Sequence, residues 1–122
     1  MKRLALLFLA ASVGYLHQET IVRSEPHAAD NERVIRISAS TFEFTPSHIT
    51  VKKGVPVMLE LTSKDRHHGF KLAQFQIQAD IKPGAVEHVR LVPTKTGTFT
   101  FFCDVFCGDG HEDMSGIIEV IE

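Results

Sequence analysis

The stretch FFCDVFCGDGHEDM, Phe101 to Met114, contains the only two cysteines of the chain, Cys103 and Cys107. His111 follows Cys107 by four residues and Met114 by seven. Two thiols, an imidazole and a thioether make a soft donor set, which favours copper over magnesium, calcium or manganese. Zinc accepts cysteine and histidine readily but seldom methionine, so Met114 tilts the set towards copper. The plainer alternative is a disulfide, which extracellular proteins favour. Such a bridge would close a very small loop and leave His111 and Met114 unexplained.

A copper site of this composition wants a second imidazole, and DRHHGF offers His67 and His68. Alternation along a strand separates them. If the strand runs through HGFKL, His68 shares a face with Phe70 and Leu72, which read as buried. His67 shares one with Gly69 and Lys71, which read as exposed. His68 is therefore the expected ligand. His48 and His88 read as solvated surface residues.

The elements that must position these donors are strands, because from residue 33 onward the hydrophobic pattern has period two rather than 3.6. Ile35 and Ile37 alternate with Arg36 and Ser38. Phe42 pairs with Phe44, and Ile49 with Val51. Val55, Val57, Leu59 and Leu61 form one inward row, Val89 and Leu91 another. Phe99, Phe101 and Cys103 share a face, which delivers the first cysteine from the interior. GIIEVIE closes the chain with a further β-rich run. Glycine and proline punctuate the gaps. About seven short strands in some 90 residues predict an all-β, antiparallel Greek-key sandwich.

The N-terminus reads differently. Lys2 and Arg3 precede an apolar run of thirteen residues, Leu4 to Leu16. That length suits an export signal or a short anchor and is below the ~20 residues of a spanning helix. Residues 1–22 are expected to be a signal peptide or membrane anchor, 23–33 a polar linker, and 34–122 the folded domain. Export places the domain in the periplasm or on the outer face of the cytoplasmic membrane, with membrane association through residues 4–16 if the segment stays. A formal net charge of -2 and no basic stripe argue against nucleic acid. No glycine-rich phosphate loop is present.

Taken together, HGF followed by CDVFCGDGHEDM resembles the dinuclear CuA copper domains of cytochrome c oxidase subunit II and nitrous oxide reductase. Their pattern is C-x3-C-x3-H-x2-M with an upstream histidine. FEFTPSHITVKKGVPV also resembles a cupredoxin strand pair, so the likeness covers roughly residues 34 to 121. The resemblance implies a cupredoxin-like sandwich holding two copper ions. Cys103 and Cys107 would bridge them, and His68 and His111 would each terminate one. Met114 and the backbone carbonyl of Val105 would be weak ligands, one to each. It further implies electron transfer with a protein partner such as a c-type cytochrome or a terminal oxidase or reductase.

Some features depart from the family pattern. Oxidase subunit II normally has two membrane helices, against one short apolar segment here. A glutamate usually stands where this chain has Val105, and there is no tryptophan for an electron-entry patch. The expectation is a free-standing exported carrier rather than an oxidase subunit. Two rivals use the same residues: a mononuclear blue-copper protein, and a periplasmic copper carrier or chaperone. Catalysis is not expected, since the ligand set fills the coordination positions and no motif places a nucleophile or carboxylate pair. Asp104, Asp109, Glu112 and Asp113 surround the copper loop, as solvated residues or as a docking face for a basic partner.

Overall fold

The computed structural model describes Gly14 and residues 32–122. Apart from Gly14, the expected signal or anchor segment lies outside the described residues, as does nearly all of the expected linker. No helix among the described residues is long and apolar enough to cross a membrane.

Among the described residues, nine strands form two sheets. They are β1 (Arg33–Ser40), β2 (Glu43–Thr45), β3 (His48–Lys52), β4 (Val57–Ser63), β5 (His68–Leu72), β6 (Ile77–Ile81), β7 (Glu87–Leu91), β8 (Gly97–Phe102) and β9 (Ser115–Ile121). One sheet runs β2-β1-β4-β7 and the other β3-β9-β8-β5-β6. The all-β sandwich expected from the two-residue period is therefore present. Its sheets are mixed rather than wholly antiparallel: β1 pairs with β4, and β3 with β9, in parallel. The chain leaves the first sheet after β2, adds β3 to the second, and returns as β4 beside β1 in the direction β1 took. Alternation reports which side of a strand faces in; it carries no information about the neighbour's direction.

β1 begins at Arg33, so it takes in the last residue of the expected linker. β6 was not foreseen, although Ala79 and Ile81 point inward and Gln78 and Asp80 outward. Two residues expected in the core are at the surface. Val55 is 48% exposed because it belongs to the turn before β4, its N–H donating to Lys52 O at 3.2 Å. Phe42 is 38% exposed because it occupies the corner between β1 and β2, where alternation does not apply. Val89 and Phe99 are only partly buried and pack against the core from its edge.

The core fills the space between the sheets with Ile37, Phe44, Leu59, Leu61, Phe70 and Phe101, each almost completely buried. Phe70 and Phe101 stack at 4.9 Å between ring centres. Phe44 meets both edge-on, at 6.1 and 5.1 Å. The edge-on and stacked arrangements are those that aromatic quadrupoles favour.

This topology gathers the potential ligands. β9, β8 and β5 are adjacent, and β8 runs antiparallel to both neighbours. The start of β5, the end of β8 and the start of β9 therefore meet at one pole. His68 opens β5, Cys103 directly follows β8, and Met114 directly precedes β9.

Candidate metal centre

His68, Cys103, Cys107 and Met114 are all buried, and His111 is half-buried at the rim. The donor atoms of His68, Cys103 and Cys107 lie within 4.8 Å of one another. Both cysteines are free thiols. Their sulfurs are 3.7 Å apart, far beyond the ~2.05 Å of a disulfide. His68 Nδ1 is 4.0 Å from Cys103 Sγ, and His111 Nδ1 is 3.6 Å from Cys107 Sγ. Val105 O is 3.1 Å from Cys103 Sγ, and Met114 Sδ is 3.8 Å from Cys107 Sγ. All six residues singled out in the sequence thus meet at one place. His67, the rejected alternative, is exposed and pairs with Asp80 at 3.5 Å.

The loop from Cys103 to Met114, which carries four of these side chains, is held by its own backbone. His111 N donates to Gly108 O, Asp113 N to Gly110 O and Met114 N to His111 O, forming a single 3-10 turn at His111–Asp113. Cys103 N donates to Met114 O at 3.1 Å, which closes the loop across its base. Gly69 N–H points at Cys103 Sγ at 3.3 Å. A side chain at Gly69 would run into the Asp104 carboxylate and lie 3.0 Å from Val105 Cγ2, so glycine is what lets that strand approach the loop.

Electrostatically the pole is asymmetric. Burial above all, with the neighbouring Cys103 thiol adding to it, pushes the Cys107 thiol up to about 11, against a smaller opposing pull from Arg66. Without metal Cys107 is a neutral thiol, and a bound cation must displace its proton. Asp65 behaves the opposite way. Burial works against its ionisation, but hydrogen bonds from the Thr41 hydroxyl, the His68 ring and the backbone N–H groups of Thr41 and Arg66 hold it well below the usual carboxylate range. Asp65 Oδ1 is 2.6 Å from His68 Nε2. An imidazole that donates from Nε2 to a carboxylate presents Nδ1 as its free lone pair, and Nδ1 is the atom facing Cys103. Such outer carboxylates orient metal-binding histidines and raise their basicity.

Asp65 was not foreseen, and neither were Thr41, Phe42 or Arg66, whose Nη1 donates to Cys107 O at 2.9 Å. For Asp65 a signal existed: it stands three residues before His68, in a turn that brings the two side chains together. We expect Asp65→Asn to weaken copper binding by about 10–100-fold. It should also raise the reduction potential, because removing a negative charge disfavours the oxidised, more positive centre. Chelator competition and protein-film voltammetry measure the two effects; unchanged affinity together with an unchanged potential would refute the assignment.

The donor set fits copper on its own chemistry. Two buried sulfurs, a thioether and two imidazoles are soft to intermediate ligands, and among the described residues no carboxylate joins the cluster of His68, Cys103 and Cys107. Residues 5–118 match the family described as cupredoxin-like domain. Cytochrome c oxidase subunit 2 of Thermus thermophilus is 31% identical over 104 residues, 85% of this chain and 74% of that one. Nitrous-oxide reductase of Cupriavidus necator is 29% identical over 84 residues, 66% of this chain but only 13% of that far longer protein. The crystal structure of the periplasmic domain of cytochrome oxidase subunit II from Bradyrhizobium japonicum superposes with a TM-score of 0.71 at 21% identity. That superposition covers 79% of this chain and 87% of the other. The chain belongs to the cupredoxin-like domain family, as a homologue of cytochrome c oxidase subunit 2.

Proposed function

We propose that this chain is an exported electron-transfer protein that holds two copper ions in a CuA-like centre. One observation carries the reading: the donors fall into two matching halves. Cys103 has its own imidazole, His68, and its own weak donor, Val105 O. Cys107 has His111 and Met114 in the same roles. A mononuclear blue site would use both histidines, one cysteine and Met114; the second buried sulfur and the Val105 carbonyl beside it would then have no purpose. Cys103, Cys107, His68 and His111 would hold the two copper ions, which when bound would share one exchangeable electron. The protein's part is to hold the donors still and exclude water, so that little rearranges when the electron arrives or leaves. The buried sulfurs and His68 support electron transfer over copper delivery, since a carrier needs ligands that an acceptor can reach.

The test is to load the purified chain with copper, count metal per chain and record the EPR spectrum. Two coppers with hyperfine coupling to both nuclei is the expected result. One copper with a single-nucleus pattern overturns the dinuclear reading.

The partner proposed is a basic redox protein such as a c-type cytochrome, or a terminal oxidase or reductase, met in the periplasm. Asp109, Glu112 and Asp113 are exposed beside His111, and Asp104 is half-buried nearby. Charges of one sign around a docking site steer an oppositely charged partner. We expect the electron-transfer rate with a basic cytochrome to fall steadily as ionic strength rises from ~0.01 to ~0.15 M, where the screening length shrinks from about 30 to about 8 Å. Stopped-flow rates that stay flat over that range would remove the acidic rim from the docking face.

A further inference from the structure

Phe42 lies far from the copper loop in sequence, and its ring is seated on that loop's backbone. A Cβ built on Gly110 would fall 2.5 Å from Phe42 Cγ and 3.0 Å from Cε2. One built on Gly108 would fall 2.9 Å from both Cε1 and Cζ. The two glycines are constrained differently. Gly108 has φ +135, so its backbone alone asks for glycine. Gly110 has φ -96 and ψ 11, which other residues adopt, so only the approach of the Phe42 ring excludes a side chain there. Gly108, Asp109 and Gly110 are the tether between Cys107 and His111, and the 3-10 turn carrying His111 hangs from Gly108 O and Gly110 O. A ring resting on both glycines therefore fixes where His111 stands relative to Cys107.

The neighbouring residue reaches the other half of the site. Thr41 N donates to Asp65 Oδ2 at 2.7 Å, and the Thr41 hydroxyl donates to the same oxygen. Asp65 Oδ1 in turn holds His68 Nε2. One corner between two strands thus touches the support of both imidazoles, through a hydrogen bond on one side and an aromatic ring on the other. Arg66 spans the same gap a second time, its N–H on Asp65 Oδ1 at 2.7 Å and its guanidinium on Cys107 O.

We propose that the Thr41–Phe42 corner is a brace that sets the placement of the two histidines relative to each other, with Phe42 the positioning residue for the Cys107–His111 half. The inference rests on the dinuclear reading of the site. Without the ring, a tether with two glycines regains the backbone freedom that glycine has in excess. His111 then drifts from Cys107, the two metal positions cease to be equivalent, and copper on that side is held less firmly.

The test uses the full copper-loaded chain and four variants: Phe42→Ala, Phe42→Tyr, Gly110→Ala and the Phe42→Ala/Gly110→Ala double variant. Copper release to a Cu(I) chelator, the EPR hyperfine pattern and the melting temperature of the metal-free protein are measured for each. Phe42→Ala should release copper about tenfold faster and lose the equal coupling to two nuclei, while Phe42→Tyr, which keeps the ring, should restore both. Gly110→Ala should do comparable damage. In the Phe42→Ala background it should add almost nothing, because the group it strikes is gone. Wild-type release and EPR in Phe42→Ala, or fully additive losses in the double variant, would overturn the brace. If Phe42→Ala shifts the melting temperature but neither metal signal, Phe42 is merely structural and the brace is equally refuted. If the unaltered chain binds a single copper, it is the dinuclear reading that fails, and this shows before any variant is made.

Discussion

Replacing Cys103 with serine should abolish the two-copper form proposed for this protein. Cys103 Sγ faces Cys107 Sγ at 3.7 Å, takes the Gly69 N–H, and is the sulfur nearest His68 and the Val105 carbonyl. A serine hydroxyl is smaller, harder and not ionised near neutral pH, so it cannot bridge two soft metal ions as a thiolate does. One half of the donor set then loses its anchor, and His68 and Val105 O are left around a position with no anionic ligand. The expected result is a drop from two coppers to at most one per chain, with loss of the delocalised EPR pattern. The other half, Cys107 with His111 and Met114, could still hold a single ion. This makes the experiment decisive between the dinuclear site and a mononuclear blue site built on Cys107. In the mononuclear case Cys103 is a bystander, and Cys103→Ser would leave copper count, colour and spectrum nearly as they were. Cys107→Ser is the complementary variant, removing the sulfur that faces His111 and Met114.

The site was legible in the sequence where its parts are close in the chain or fixed by alternation. Cys103, Cys107, His111 and Met114 lie within a dozen residues, so their spacing is visible directly. His68 is distant, but only two adjacent histidines competed, and the period of a strand decided between them. Asp65 left a faint trace, three residues before His68; Phe42, Thr41 and Arg66 left none. Their contacts with the site span 24 residues from Thr41 to Asp65 and 41 from Arg66 to Cys107, and no local pattern encodes a crossing of that length. The same division holds for the fold. Inward rows such as Leu59–Leu61 and Ile35–Ile37 were readable because burial imposes a period. The parallel pairing of β1 with β4 depends on where the chain re-enters the sheet, which no period records. Val55 and Phe42 misled because each continues an apolar alternation past the end of its strand, into a turn where successive side chains no longer take opposite faces.

Phe101→Ala should cost about 3–5 kcal/mol of folding stability, the range for removing a large buried aromatic. Small domains have only ~5–15 kcal/mol in total, so the variant should sit close to unfolding without metal. Phe101 is fully buried, stacks on Phe70 and meets Phe44 edge-on. The neighbouring strand is shaped around it: a side chain at Gly116 would fall 2.6 Å from Phe101 Cε2 and 2.7 Å from Ser47 O. The backbone cannot collapse freely to fill the void, which favours the upper part of the range. Urea titration of the metal-free protein measures the loss. Thr100→Ala, on the outward face of the same strand, is the control and should stay within ~0.5 kcal/mol. A loss below ~1 kcal/mol for Phe101→Ala would mean the core repacks around the void. The consequence for function follows from position. Phe101 stands two residues before Cys103, and its stacking partner Phe70 stands two residues after His68. The aromatic pair is thus the floor beneath one sulfur and one imidazole of the same half-site. Because metal that binds only the folded state stabilises it by mass action, copper should recover part of the lost stability in Phe101→Ala. The recovered protein should still show slower electron exchange than the unaltered chain, since ligands on a loosened floor move further when the centre changes oxidation state.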